Sequence, residues 1–209
     1  NGTALVSPSG GTSPYTYLWN NTQTTASAAN LSFGNYSVTI TDSKGCTSSA
    51  SVAIAQPAAL TNTVSQTNVA CFGESNGTAS VTASGGTPIA TGDPYTYVWN
   101  PAVGTTATVT GLSFGNYSVT ITDSKGCTSI TSIAITQPLA LTNTVSQTNV
   151  VCFGESNGTA SVTASGGTSP YTYLWNPTSI AAATATGLSS GGYSVTVTDS
   201  KGCTSVSTV

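Results

Sequence analysis

The side chains able to do chemistry in this 209-residue chain are few: five Cys, six Asp or Glu, three Lys and no His. Cys46, Cys127 and Cys203 each follow Asp-Ser-Lys-Gly, while Cys71 and Cys152 each open the stretch Cys-Phe-Gly-Glu-Ser-Asn-Gly. Thiols in fixed contexts, in a chain otherwise so inert, point to disulfide cross-linking in an oxidising, extracellular setting. Gly73-Glu-Ser75-Asn-Gly77 and Gly154-Glu-Ser156-Asn-Gly158 match the G-x-S-x-G pattern of a serine nucleophile. That nucleophile needs a strand-to-helix turn and a His base, and the chain offers neither pattern. The expectation is a tight turn before a strand, with no catalytic residues, no metal and no cofactor.

Asp42, Asp123 and Asp199 sit in the repeated Asp-Ser-Lys-Gly turn, with Glu74 and Glu155 elsewhere. A calcium site would need such a turn Asp and the Glu to converge with backbone carbonyls. The simpler reading is an Asp that caps its own hairpin. Tyr15, Tyr17 and Trp19 recur as Tyr95, Tyr97, Trp99 and as Tyr171, Tyr173, Trp175. Two readings stay open for this stripe. It is the core of a β-sandwich, or, with Tyr95, Tyr97 and Trp99 facing solvent, a platform on which sugar rings stack. Seven Asn precede x-Ser/Thr: 1, 20, 30, 35, 76, 116 and 157. Asn76 and Asn157 also carry an acid two residues earlier, which makes them the candidate glycosylation sites. Thr pairs such as Thr39 and Thr41 are too short a rank for an ice-binding face.

Charge excludes several function classes. Nine ionic side chains and a net charge of −3 cannot release counterions from nucleic acid in quantity, nor hold a polybasic membrane anchor. No apolar run reaches the 18–20 residues of a spanning helix. Ser and Thr supply about a third of the residues, so hydroxyls rather than ions keep the surface wet.

The elements that must position these residues follow from internal repetition. Asn-Gly-Thr-Ala-Ser-Val-Thr-Ala-Ser-Gly-Gly occurs at Asn76 and Asn157, with a drifted copy at Asn1. Trp19, Trp99 and Trp175 lie 80 and 76 residues apart, a period that suits a small domain rather than a solenoid rung. Gln56-Pro57 and Gln137-Pro138 mark the boundaries, giving repeats over 1–57, 58–138 and 139–209. The first and last are read as truncated, the chain being a window on a longer array. Within a repeat the apolar period is two, as in Tyr36-Ser-Val38-Thr-Ile40, and turn sequences fall every 8–12 residues. The expected fold is all-β: a tandem array of three immunoglobulin-like antiparallel β-sandwiches. Leu112 is expected in the core at the corner between sheets, with Tyr117 just inside the next strand.

Two regular cysteine pairings are compatible with this array. Pairing within repeats joins Cys71 to Cys127 and Cys152 to Cys203, leaving Cys46 with a partner outside the window. Pairing between repeats joins Cys46 to Cys71 and Cys127 to Cys152. Strands running end to end through the 25 residues from Cys127 to Cys152 would separate those sulfurs by tens of Å, at about 3.3 Å per residue. A bridge needs Cα atoms within about 7 Å. The within-repeat pairing is therefore expected, and it requires the first and last turns of a repeat to lie together. Closing such a loop would contribute about 4 kcal/mol.

The stretch Gly-Gly-Thr-Ser-Pro-Tyr-Thr-Tyr-Leu-Trp-Asn, followed by Gly-Leu-Ser-x-Gly-x-Tyr-Ser-Val-Thr-Val-Thr-Asp-Ser-Lys-Gly-Cys-Thr, resembles the SprB-type repeats of Bacteroidetes surface proteins, which include gliding-motility adhesins. It is more distantly similar to polycystic-kidney-disease domains. The resemblance covers residues 10–20 with 31–47, 85–100 with 112–128, and 166–176 with 188–204. The second repeat departs from it by the insertion Ile89–Asp93. The resemblance implies a long, secreted protein that extends from the bacterial cell surface as a stalk or filament. On that reading the chain's partners are copies of itself or neighbouring repeats and, in the alternative reading as a carbohydrate-binding module, surface glycans. Neither nucleic acid nor membrane insertion is expected.

Overall fold

A computed structural model describes residues 1–90 and 92–209. Among the described residues the chain forms seventeen β-strands and no helix. Thr91, inside the insertion Ile89–Asp93, lies outside the described residues; the Ile89 N–H donates to the Pro94 carbonyl (2.7 Å). The chain divides into two compact units, Asn1–Ala59 and Leu60–Val209.

In the first unit β1 (Gly2–Leu5) pairs with β3 (Ser27–Leu31), and β4 (Gly34–Thr41) lies between β2 (Thr16–Trp19) and β5 (Thr47–Ile54). Their inner faces enclose Trp19, Ala28, Leu31, Val38 and Ile40.

The second unit holds two further hydrophobic clusters, one in each later repeat. Residues 61–135 form β6 (Thr61–Thr67), β7 (Gly77–Ser84), β8 (Thr96–Asn100), β9 (Thr108–Leu112), β10 (Gly115–Thr122) and β11 (Thr128–Ile135). They build two three-stranded antiparallel sheets, β6-β7-β9 and β8-β10-β11. The third repeat copies this with β12 (Thr142–Thr148), β13 (Gly158–Ser165) and β15 (Thr184–Leu188) in one sheet. Its other sheet is β14 (Thr172–Asn176), β16 (Ser194–Thr198) and β17 (Thr204–Thr208). This order matches the A-B-E and C-F-G sheets of an immunoglobulin-like sandwich.

Alternation drives this folding. Along β10, Tyr117, Val119 and Ile121 are buried while the residues between them are half-buried. On the partner strand Tyr97 and Trp99 do the same. Each aromatic ring removes about 150–250 Å² from water, worth about 4–6 kcal/mol at about 25 cal/mol/Å². The Trp99 indole N–H donates to the Thr106 carbonyl, and Trp19 and Trp175 find Thr25 and Ala182 in the same way, all at 2.9 Å. The expected corner is present: Leu112 is buried, and the buried Tyr117 hydroxyl donates to the Ser113 carbonyl four residues back (3.0 Å). Tyr36 and Tyr193 repeat that bond to Ser32 and Ser189.

Each sandwich is polar along its length. In the second repeat β6 begins opposite the end of β7, and β7 begins opposite Leu112, the last residue of β9. The loop 68–76 therefore hangs at the end where β10 begins and β11 finishes. The Val69 N–H donates there to the Thr136 carbonyl (2.9 Å), and the Thr136 N–H to Asn68 Oδ1 (3.0 Å). The Asp-Ser-Lys-Gly hairpin joins β10 to β11 at the other end. In the second and third repeats the chain enters the sandwich at its hairpin end and leaves at its loop end.

Candidate functional site

The hairpin end is organised by one carboxylate. Asp123 Oδ1 accepts the N–H groups of Lys125 and Cys127 (2.9 Å each), which caps its own turn as expected. Oδ2 reaches further and accepts the Thr87 N–H (2.8 Å) from the loop after β7. Asp42 binds Thr12, Lys44 and Cys46, and Asp199 binds Thr168, Lys201 and Cys203, in the same pattern. The link across to the Gly-Gly-Thr loop was not anticipated, although Gly-Gly-Thr and Asp-Ser-Lys-Gly-Cys accompany one another in every repeat. Gly86, at φ +61°, leaves room for it, since a Cβ there would stand 2.7 Å from Asp123 Oδ2.

These donors set the charge. The Cys46 N–H, then that of Thr12, holds the Asp42 carboxyl below the usual carboxylate range. The Thr87 N–H does the same for Asp123 against the opposing effect of burial. At Asp199 burial favours the neutral acid, and the N–H groups of Thr168, Cys203 and Lys201 together outweigh it. With their oxygens occupied by the backbone, these side chains act as clamps. Glu74 lies at the opposite end of its sandwich from Asp123, so the convergence that calcium would require does not occur within the repeat.

The loop end carries the second set of cysteines. Asn76 closes the Cys-Phe-Gly-Glu-Ser-Asn-Gly loop: its Oδ1 accepts the Ala70 N–H (3.0 Å) and its Nδ2 donates to Glu74 (2.7 Å). Asn157 does so with Val151 (3.2 Å) and Glu155 (2.5 Å). Both candidate glycosylation residues are exposed, with the amide nitrogen engaged by the neighbouring carboxylate. Ser75 lies in this same strand-to-strand loop.

Cys71 is bonded to Cys203, with Cα atoms 5.6 Å apart and 132 residues between them in sequence. Cys46, Cys127 and Cys152 are free and exposed. This corrects the expected pairs Cys71–Cys127 and Cys152–Cys203, and equally the alternative pairing between repeats. The cause is strand direction. Cys71 and Cys127 flank opposite ends of the eight-residue strand β11, which spans about 26 Å at about 3.3 Å per residue, far beyond the reach of a disulfide. Within the second unit, the loop end of the second sandwich instead meets the hairpin end of the third. The Gly73 N–H donates to Oε1 of Gln137 (2.9 Å), in the connecting segment, and the Gly167 N–H to the Leu139 carbonyl (2.8 Å). Cys71 and Cys203 staple that junction.

The aromatic stripe resolves differently from the glycan-stacking alternative. Tyr95, Tyr97 and Trp99 are buried among Val81, Val109 and Ile121. Their ring faces are spent on the core, and the Tyr95 hydroxyl donates to the Gly85 carbonyl (2.8 Å). The residue that alternates with them, Val98, points outward.

The family model of the SprB repeat matches residues 1–24, 63–104 and 144–180. This is a SprB-repeat chain. The matched segments run from the first sheet of each repeat into the Trp strand, and SprB repeats occur in cell-surface proteins. Among solved structures, the chain is similar to the three N-terminal domains of the bacteriophage RB49 highly immunogenic outer capsid protein, at 16 % identity and a TM-score of 0.43. That match covers 94 % of this chain and 86 % of the other. It is similar also to a chain from a Dscam isoform structure, at 9 % identity and a TM-score of 0.32, covering 93 % and 63 %. No curated protein sequence matches the chain.

Proposed function

We propose that this SprB-repeat chain is a structural, adhesive spacer from a long secreted protein of the bacterial cell surface, contributing to an extended stalk or extracellular filament. The observation that carries the reading is the staple between Cys71 and Cys203. A binding or catalytic domain has no need to be tied to its neighbour, whereas a spacer under load gains from a covalent route across the junction. Separate cores within the repeats make each sandwich a bead, and the contacts at the stapled junction limit bending between the second and third. The neighbouring repeat is then the chain's first partner. Hydroxyl-rich outer faces and a net charge of −3 suit an exported, oxidised array. Antibody raised to the purified chain should label intact cells of the source bacterium. Labelling that appears only after the cells are permeabilised would refute the surface role.

A further inference from the structure

We infer that the outer face of the β8-β10-β11 sheet is a self-association surface, which packs face to face against the same surface of a second copy of this chain. Across this sheet Val98, Thr120 and Ile130 lie opposite one another in register. Val98 and Ile130 stand in solvent, 63 % and 68 % exposed. The third repeat sets Leu174, Thr196 and Val206 in the same row, with Leu174 and Val206 likewise exposed. A single apolar side chain on a surface is ordinary. An apolar ridge at one register of one sheet, present in both repeats, is the mark of a contact.

Beside the ridge lies a groove. Two residues further along β10, Ser118 pairs with Asn100 and Ser132, and these line a shallow depression together with Pro101, Asn116 and Ala134. Ridge and groove are about 6.6 Å apart along the strands. A two-fold axis lying between them sets the ridge of each copy into the groove of the other. Such a contact is isologous, and its side chains interdigitate as those of the two sheets within one sandwich do.

Charge and chemistry name the occupant. Every outward residue of β8, β10 and β11 is Thr, Ser, Asn, Ala, Val or Ile. An ionic partner would lose hydration against this face and find no counter-charge. A sugar ring would find no aromatic plane, because Tyr97 and Trp99 are turned into the core. A second copy brings matching apolar groups and hydroxyls that both donate and accept. Counted over both copies, one pair of faces hides about 750 Å² at the spacings of a sheet, short of the about 1,200–2,000 Å² that holds a stable complex. The ridge on the third repeat makes the chain bivalent, and two such contacts together enter that range. The inference rests on the surface-spacer reading, for which it supplies the lateral contact of a filament.

The test follows the purified chain by sedimentation velocity from dilute to concentrated solution. Cys71–Cys203 is kept, and Cys46→Ser, Cys127→Ser and Cys152→Ser leave only non-covalent contact to be read. Reversible association is expected, unmoved by sodium chloride and strengthened by sulfate. Val98→Lys with Ile130→Lys sets cations against one another and should weaken association about a hundredfold. Leu174→Lys with Val206→Lys should act alike, and all four together should leave a monomer. Thr63→Lys with Thr110→Lys, exposed on the other sheet of the second repeat, should change nothing. Because the ridge residues lie in solvent, each variant should keep the parent urea midpoint. A chain that stays monomeric at every concentration, or association that survives the four ridge lysines, would overturn the inference. Intact-cell labelling by a chain that never associates defeats this contact alone; association of a chain that labels no intact cell defeats the surface reading alone.

Discussion

The three hairpin aspartates give the chain its acid response. Each folded-state carboxyl is held below its ordinary range by backbone N–H donors, led by Cys46 at Asp42 and Thr87 at Asp123. The sign follows from linkage. A depressed folded pKa contributes stability that is fully present above the unfolded value, about 3.9 for Asp, and lost as pH falls through the folded value. Thermal midpoints should therefore hold near pH 6 and drop steadily from pH 4 to pH 2. Asp123→Asn together with Asp199→Asn should flatten that drop in the second unit, and an unchanged pH profile would contradict the clamp. Gly86 is the steric counterpart of Asp123. Its φ of +61° and the 2.7 Å approach of Oδ2 to a would-be Cβ predict that Gly86→Ala costs about 1–3 kcal/mol, measured by urea unfolding. A neutral result would mean that the loop shifts freely away from the hairpin.

At the scale of elements, the corner between β9 and β10 in the second repeat is set by Leu112 in the core and by the buried Tyr117, whose hydroxyl anchors the carbonyl of Ser113. Tyr117→Phe keeps the ring and removes the anchor, so a loss of about 0.5–1.5 kcal/mol is expected, seen as a lower urea midpoint with an unchanged m-value. Burial of this kind was legible in the chain. Period-two alternation put Tyr97 and Trp99 on one strand face, leaving open whether that face was core or a sugar platform, and the spacing of Asn-Gly and Gly-Gly turns separated the strands. The cysteine pairing was not legible, for a topological reason. If strands simply alternated in direction after the Cys71 loop, the fourth, β10, would return its hairpin to that loop. In the fold β8 and β9 run the same way, in different sheets. One direction is thereby repeated, and the β10–β11 hairpin comes out at the far end. Residue spacing carries no record of that crossing. Nor did the spacing reveal the tie from Asp123 to Thr87, which depends on the same end-to-end assignment.

For the whole molecule, the position of the staple decides how force passes through it. Tension applied at the two ends of the chain enters the second unit at Leu60 and meets Cys71 a few residues later. With Cys71 bonded to Cys203, the pull crosses directly to Cys203 and leaves by the last strand. Apart from β6 and β17, which flank the staple, the second and third sandwiches lie within a loop, 132 residues from bond to bond, that bears no load. A bridge within each repeat would instead have left the junction in the load path and its connecting segment free to stretch. Single-molecule pulling of the oxidised chain should therefore release little length beyond the first unit and the short flanks of the staple. Reduction should add about 450 Å of contour length, from 132 residues at about 3.3–3.6 Å each, appearing as separate unfolding steps for the two sandwiches. Cys71→Ser should behave like the reduced chain without any reductant. Equal contour lengths in oxidised and reduced chains would show that load runs through the sandwiches themselves, and the spacer would then owe its resistance to hydrogen-bonded strands rather than to sulfur.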